Sequence, residues 1–320
     1  MFEAMNYVYE VYKEASFSKA AQNLYISQPS LSASIKREED RIGVKIFNRN
    51  KSPIELTPPG KIYVEHVEKI MEIEEDFQRY IDDFQNLNRG SLSIGANNIY
   101  TSFLLPQIVK EYHQYYPNLQ ITITEGNTSL DIREALEKGI TDIALDNFPF
   151  EGDLFGKHLL FQEKLFLVVP KKYAINEAWK EYRLNYRDIL ENKHPLKTLP
   201  KDKFVQFQNL PFVALKKESD NRKRFDIIMN RYSLVPNIEF ELDQSPSAYY
   251  IANSGLGATF SSSTLLRNIR YSDNLCFYNL DEPELLRNVY IYTKKNKYLS
   301  KSILEFFRIA SESDVIHSDF

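Results

Sequence analysis

Residues 17–32 read Phe17-Ser18-Lys19-Ala20-Ala21-Gln22-Asn23-Leu24-Tyr25-Ile26-Ser27-Gln28-Pro29-Ser30-Leu31-Ser32. Ser18 is placed to cap a short helix through Leu24, because a serine hydroxyl accepts from the free N–H groups of a first helical turn. Tyr25 and Ile26 make a brief connection. Ser27 caps the next helix, with Pro29 in the first turn, where a missing N–H costs nothing. That helix runs to about Arg41 and stops at Gly43. Upstream, Ala4, Val8, Val11 and Tyr12 fall at helical spacing over residues 3–15. Downstream, residues 44–56 suit a short hairpin that turns at 50–53. Two helices joined by a tight turn and followed by a hairpin describe a helix-turn-helix with a wing. Its second helix presents Gln28, Ser30, Ser32, Ser34 and Lys36, polar groups sized for base edges and phosphates. A helical hairpin with no nucleic-acid role has the same outline, and spacing alone leaves both open.

The whole chain has 320 residues, 40 Lys and Arg against 44 Asp and Glu, and a net charge of -4. Such a length suggests two domains or three. With 43% hydrophobic and 26% charged residues, disordered, collagen-like and disulfide-scaffold classes are excluded. A negative total argues against nucleic acid until it is divided: residues 1–58 carry +1, residues 59–88 carry -5, and residues 89–320 are neutral. Within 26–51, six basic side chains (Lys36, Arg37, Arg41, Lys45, Arg49, Lys51) face three acidic ones, a local +3. The acidity therefore lies outside the segment that would meet a duplex.

The single cysteine, Cys276, rules out an internal disulfide and a Cys-based zinc site, and it suits a reducing compartment. The N-terminus has no signal-peptide pattern, and no run approaches the roughly 18 apolar residues of a membrane helix. A soluble, cytoplasmic protein with no membrane partner is expected. His66, His113, His158, His194 and His317 are scattered without metal-ligand spacing, and no nucleophile elbow, phosphate loop or metalloprotease helix occurs. Neither catalysis, metal nor other cofactor is expected, and Cys276, among apolar neighbours, is expected in a core.

Residues 59–88 read as one long helix. Tyr63, Ile70, Phe77 and Phe84 recur every seven residues, and His66, Ile73, Tyr80 and Leu87 fill the second position of the same heptads. Packing on the helix's own domain is one reading. A dimer contact is the better one, since the segment lies between two domains without a core of its own. From 89 onward strands and helices alternate: strands at 91–95, 119–124, 142–145 and 166–169, and helices at 103–115 and 131–137. That order signals a parallel α/β sheet with ligands at the carboxyl ends of its strands. Residues 171–205, rich in Lys, Glu, Asn and Tyr, look like a partly helical surface insertion. Gly255-Leu256-Gly257 reads as a tight turn, and Ser261 to Thr264 as a polar edge or a helix cap.

The string at 17–32 resembles the N-terminal signature of LysR-type transcriptional regulators. So do Ile35 through Gly43-Val44-Lys45-Ile46-Phe47-Asn48-Arg49, and Leu56-Thr57-Pro58-Pro59-Gly60. The likeness is dense over 2–65 and thinner beyond, at Leu104-Leu105-Pro106, Asp142-Ile143-Ala144, Leu167 to Pro170 and Ile251 to Ala258. It implies an α/β protein in three parts: a winged helix-turn-helix DNA-binding domain (1–58), a dimerising linker helix (59–88), and a periplasmic-binding-protein-like, type 2 effector domain (89–320). The effector domain would have two α/β subdomains, the first at about 91–163 and 270–310, the second at about 164–269. Gln28, Pro29 and Ser32 match positions that approach bases, and 49–52 match the wing. Together with Ser18, Lys19, Ser30, Ser34, Lys36, Arg37, Arg49 and Lys51 they form the candidate DNA contacts. Tyr63, Ile70, Ile73, Phe77, Tyr80 and Phe84 form the candidate dimer seam. Two positions depart from the family: Ala33, where arginine is frequent, and Glu38, where leucine is usual. A lone buried carboxylate is costly, so Glu38 should face solvent or have a basic partner.

In the family, a small metabolite sits between the two subdomains. Residues 97–102 then lead into the first long helix, where Asn97, Thr101, Ser102 and free N–H groups suit an anion. Simple capping by Ser102 explains the same residues. By family pattern Thr128 and Asp146 face the cleft from the first subdomain, and Lys216, Ser219 and Ser245 from the second. Lys216 and Lys217 leave room for an anionic effector. The reading that results is a regulator that binds palindromic promoter DNA as a dimer or tetramer, with RNA polymerase as a conceivable further partner. Its competitors are a cytoplasmic small-molecule binding protein without a DNA role, and an enzyme.

Overall fold

The structure, a computed structural model, describes residues 2–51, 53–84, 90–126, 128–150, 152–190, 196–295, 297–313 and 316. It divides into two compact units, Met1–Ile81 and Asp82–Phe320. No described helix is long and apolar enough to cross a membrane.

The first unit holds α1 (Phe2–Glu14), α2 (Phe17–Asn23), α3 (Gln28–Ile42), a two-stranded ribbon of β1 (Phe47–Asn48) and β2 (Glu55–Leu56), and α4 (Pro58–Phe84). Ser16, rather than Ser18, caps α2, its hydroxyl accepting from the Lys19 amide. The start moves because the Phe17 ring belongs to the core, edge-on to Phe47 at 5.7 Å, and Ser18 is left exposed in the first turn. Ser27 caps α3 with Pro29 in the first turn, and Gly43, at φ 77, ends it in the left-handed region that favours glycine. Val8, Val11, Ala20, Leu31, Ile35 and Ile46 close the core. Gly60 is required by packing: a Cβ there would stand 2.0 Å from the Ile46 carbonyl oxygen.

The second unit is two lobes threaded by one strand. The first lobe has β3 (Ser91–Asn97), a π-helical turn (Tyr100–Leu104) running into α5 (Leu105–Tyr115), β4 (Gln120–Gly126), α6 (Ser129–Glu137) and β5 (Ile143–Asp146). Next comes β6 (Phe155–Pro170), which serves both lobes. The second lobe holds α7 (Ile175–Ala178), α8 (Tyr186–Leu190), β7 (Thr198–Leu199), α9 (Lys201–Phe204), β8 (Pro211–Leu215), α10 (Asp220–Arg231) and β9 (Asn237–Leu242). It continues through α11 (Ser245–Asn253), β10 (Thr259–Ser262), α12 (Ser263–Asn268) and β11 (Leu275–Leu280), before β12 (Leu286–Lys294) and α13 (Lys301–Glu312) return to the first lobe.

In the first lobe β4, β3 and β5 are parallel, and β12 and β6 add antiparallel, so the sheet is mixed and not purely parallel. In the second, the later half of β6 pairs antiparallel with β10 and β11, β7 joins β11 in parallel, and β8 pairs with β9. The apolar strand at 166–169 is thus the far half of a strand of 16 residues. Leu165, Leu167 and Val169 face one core while Phe166 and Val168 face the other, the continuous apolar run of a strand covered on both sides. Pairing also places β11 in the second lobe, so the chain returns to the first lobe after Leu280 and not near 270. Residues 171–205 are more than a surface insertion: Ile189, Leu199 and Phe204 are buried in the two cores, and β7 is the edge of the sheet. Close backbone approach explains Gly257, whose Cβ would stand 2.9 Å from the Pro211 carbonyl oxygen.

Where β6 passes from one lobe to the other it carries a buried charge, Glu163. One oxygen accepts from Arg287 Nε and the Tyr100 hydroxyl, both at 2.7 Å, and the other from the Thr264 hydroxyl at 2.6 Å. Arg287 also donates to Asp220 at 3.0 Å and to Asn221. Burial disfavours the guanidinium charge, but Glu163, Tyr100 and Asp220 more than offset it and keep Arg287 protonated. Replacing Arg287 with Met alone leaves Glu163 buried without a cation and should cost about 3–5 kcal/mol, whereas Glu163→Leu leaves Arg287 paired with Asp220 and should cost less. In urea unfolding the double variant should lose clearly less than the sum of the two singles, and simple additivity would show that the pair does not act as a unit.

Candidate nucleic-acid interface and ligand cleft

One face of α3 is apolar and buried, at Leu31 and Ile35, and its other face leaves Gln28, Pro29, Ser30, Ala33, Lys36 and Arg37 exposed. Ser32 and Ser34 are half-buried: Ser32 accepts from Arg49 at 3.1 Å and Ser34 from Arg37 at 3.0 Å. Ser30 shares a 2.8 Å hydrogen bond with Ser27. The starts of α2 and α3 and the wing enclose a groove of about 680 Å³ lined by Ser18, Lys19, Gln28, Ser32 and Arg49. The structure therefore gathers five of the candidate contacts in one place, beside the N-terminal, positive end of α3. Lys36 and Arg37 follow along the same helix. Lys51 stands on the wing, 2.6 Å from Glu55, and Ser52 lies outside the described residues.

The groove keeps its shape through a residue that the sequence reading passed over. Glu39 is fully buried, and its Oε1 accepts from the Ile46 and Phe47 amides at 2.8 and 3.3 Å. Its Oε2 meets Lys45 at 3.3 Å and Arg49 at 3.4 Å. One carboxylate thus fastens the wing to α3 and, with the Phe17 ring 5.2 Å away, sets the direction of Arg49. The available signal was a carboxylate on the apolar side of a helix, within reach of a following pair of basic residues. Glu38 has the basic partner that its burial demands: Arg41 donates to both oxygens and the Tyr63 hydroxyl donates at 2.8 Å. Arg41 lowers the Glu38 pKa against the opposing effect of burial, with Tyr63 adding to the lowering.

This contact changes the seam of α4. Tyr63 is half-buried and bonded within its own unit, and Val64 and Val67 are buried there too. The first heptad position is thereby spent inside the domain. Farther along, Ile70 is half-buried, and Ile73, Phe77, Tyr80 and Ile81 are exposed apolar groups at helical spacing. The Phe84 side chain and Leu87 lie outside the described part, as do His194 and His317.

In the second unit a cleft of about 350 Å³ opens between the lobes. Asn97, Thr128, Lys216, Ser219 and Ser245 line it, together with Ser129, Asn147, Asn221, Asp243 and Arg287. Nothing in the local pattern marks Arg287, Asn221 or Asp243. Thr101, Ser102 and Asp146 are outside the lining. The Thr101 hydroxyl is taken by Glu125 at 2.8 Å and the Asn98 carbonyl at 3.1 Å, and Ser102 faces solvent. The anion site expected at 97–102 is closed by the chain itself: Asn97 Oδ1 accepts from the Ile99 and Tyr100 amides, at 3.1 and 3.2 Å. Capping falls to Asn97 and not to Ser102. Ser262 likewise caps α12, and Thr264 is held by Glu163, so the serine run serves the lobe junction.

The cations of the cleft are already matched. Lys216 meets Asp243 at 2.6 Å, and Arg287 meets Glu163 and Asp220. Asn147 and Asn221 extend the network, to Asp220 at 2.8 Å and to Ser245 at 3.1 Å. Amide, hydroxyl and carboxylate groups make up the rest of the cleft's polar lining. Cys276 is buried, and burial raises its thiol pKa.

A winged helix-turn-helix followed by a two-lobed α/β unit with a cleft between the lobes defines the class of ligand-binding transcriptional regulators. Residues 2–61 match the family described as bacterial regulatory helix-turn-helix protein, lysR family, and residues 85–314 match LysR substrate binding domain. The chain belongs to the LysR family of transcriptional regulators, with an N-terminal DNA-binding domain and a C-terminal effector-binding domain. A relative in Bacillus subtilis, the HTH-type transcriptional regulator YcgK, is 25% identical over 314 residues, covering 97% of this chain and 94% of its own. A full-length OxyR variant from Pseudomonas aeruginosa shares the fold at TM-score 0.68 and 20% identity, with 99% of both chains covered. Full-length CbnR complexed with its target DNA shares it at TM-score 0.62 and 17% identity, over 97% of this chain and 98% of that one.

Asp146 sits beneath the cleft, fully buried, with Oδ1 accepting from the Asn147 and Phe148 amides at 2.7 and 3.0 Å. Burial lifts its pKa from 3.8 to about 6, against the Phe148, Ser129 and Asn147 hydrogen bonds, and the Asp220 charge adds to the rise. The folded state therefore favours the protonated acid. That advantage is full below 3.8 and is lost as pH rises through about 6. Asp146→Asn keeps the acceptor and removes the charge, so it should stabilise the protein by about 3 kcal/mol at pH 8 and by almost nothing at pH 4. Urea unfolding at the two pH values checks this, and a gain of equal size at both would contradict it.

Proposed function

We propose that the chain binds promoter DNA carrying an imperfect inverted repeat, as a dimer or a tetramer in the cytoplasm. A small metabolite held in the cleft of the second unit modulates that binding. The observation that carries the reading is the groove where Gln28, Ser32 and Arg49 converge, with the wing fastened by Glu39. CbnR, the structural neighbour bound to its target DNA, supports a DNA role for this arrangement. The exposed stripe Ile73, Phe77, Tyr80 and Ile81 supports assembly through α4. The net charge supports it as well: a local +3 over residues 26–51 gives one subunit little attraction for phosphate, so useful affinity requires two.

Effector control follows from the lobes. A ligand that bonds Asn97 and Thr128 on one side and Ser219 and Ser245 on the other favours the closed arrangement over the open one, and its differential affinity for the two sets the shift. Because the cleft's cations are paired, polar uncharged and amine-bearing molecules suit it better than carboxylates.

Selection of genomic fragments on the full chain should enrich an inverted repeat. With that site in hand, Gln28→Ala should reduce discrimination against random DNA by about 1–3 kcal/mol, the range for one side chain reading one base. Lys51→Ala should weaken operator and random DNA alike and lower the salt slope by about 0.9 for each phosphate that is no longer neutralised. The Lys51–Glu55 pair is exposed and worth little, so exchange of Glu55 for a phosphate is cheap. Unchanged operator binding in both variants would show that helix and wing are misassigned.

A further inference from the structure

The second unit has another ligand-sized cavity, of about 630 Å³, next to the cleft. It is formed by the start of α6, the chain after β5, and the loop leading into α10. Its lining is apolar at Leu130, Phe148 and Phe150 and cationic at Arg133, Lys217 and Lys223, with Arg133 also 5.7 Å from the centre of the Phe155 ring. Leu130 is 60% exposed, an apolar side chain that nothing in the described chain covers.

The two cavities differ in how their charges are used. In the cleft, Lys216 and Arg287 are both held by carboxylates. In the second cavity, no described carboxylate forms an ion pair with Arg133, Lys217 or Lys223, and Glu218 is the single acid of the lining. Lys223 instead lies 4.4 Å from the centre of the Phe148 ring, which places an ammonium directly at the apolar lining. The adjacent lysines are thus separated in function. Lys216 faces the cleft and is neutralised, and Lys217 faces the second cavity without an ion pair among the described residues.

An apolar lining beside three cations and one acid suits a molecule with an apolar body and a negative end. We propose that this cavity binds an amphipathic carboxylate, its hydrocarbon or ring on Leu130, Phe148 and Phe150 and its carboxylate toward Arg133, Lys217 and Lys223. The ligand is distinct from the cleft's occupant. Thr128 and Ser129 line both cavities, so an occupant of one is felt at the wall of the other.

Phenylacetate, with phenylacetamide as its uncharged match, tests this by calorimetric titration of the full chain. Phenylacetate should bind saturably, and the amide about tenfold or more weakly, because a neutral group cannot form the charge-assisted hydrogen bonds of a carboxylate. The Lys217→Gln, Lys223→Gln double variant, altered only at exposed positions, should lose about tenfold for phenylacetate with an unchanged melting temperature. Asp243→Asn and Ser245→Ala line only the cleft and should leave phenylacetate affinity within about twofold. Equal binding of acid and amide, loss of binding in the cleft variants, or no saturation in the millimolar range would each overturn the proposal. None of these outcomes depends on DNA binding, so the regulator reading stands or falls separately.

Discussion

The second unit is organised by the need to keep the Glu163 carboxylate satisfied where one strand passes between two lobes. A lone charge at that depth would cost several kcal/mol, and three donors from three parts of the chain converge on it, while an acceptor from a fourth meets its partner Arg287. Tyr100 comes from the turn before α5, Thr264 from α12, Arg287 from the returning strand β12, and Asn221, through Arg287, from α10. Movement of one lobe against the other must therefore keep or redistribute these bonds. Arg287 and Asn221 also line the cleft, so groups that join the lobes form part of its wall. That coincidence links the cleft wall to lobe geometry through Arg287.

The same device recurs in the DNA-binding unit at smaller scale. Two adjacent carboxylates at the end of α3 are both buried, and each closes a different contact. Glu39 takes the wing amides and Arg49, and Glu38 takes Arg41 and the first tyrosine of α4. Wing and linker helix are thereby referred to one helix, the one that carries Gln28 and Ser32. Leucine at position 38 would have packed without fixing Tyr63, so the departure from the family pattern adds a polar tie between α3 and α4.

Much of this was legible from residue order. The turn chemistry of Ser27, Pro29 and Gly43 marks α3 to within a residue, because caps act locally. Ser18 misled for a tertiary reason: the buried Phe17 ring pulls the helix start back to Ser16. Apolar runs located the strands but not their lengths, and β6 reads as a short strand only until Glu163 is seen to be buried within it. The cleft was legible in place and not in detail. Asn97 spends its oxygen on its own helix start, and Lys216 its charge on Asp243. Both outcomes depend on partners distant in sequence or on local backbone geometry, which spacing does not encode. The division of Lys216 from Lys217 between two cavities is of the same kind.

Under the proposed function, two copies of α3, each weakly attractive to phosphate alone, act together on one duplex. Fluorescence anisotropy with an enriched operator, a single half-site and random DNA of equal length measures that directly. The full inverted repeat should bind at least about a hundredfold more tightly than the half-site, with random DNA weaker by about 10³ or more, and with a steep loss of affinity as salt rises. Equal affinity for repeat and half-site, or no preference over random DNA, would contradict the proposed function.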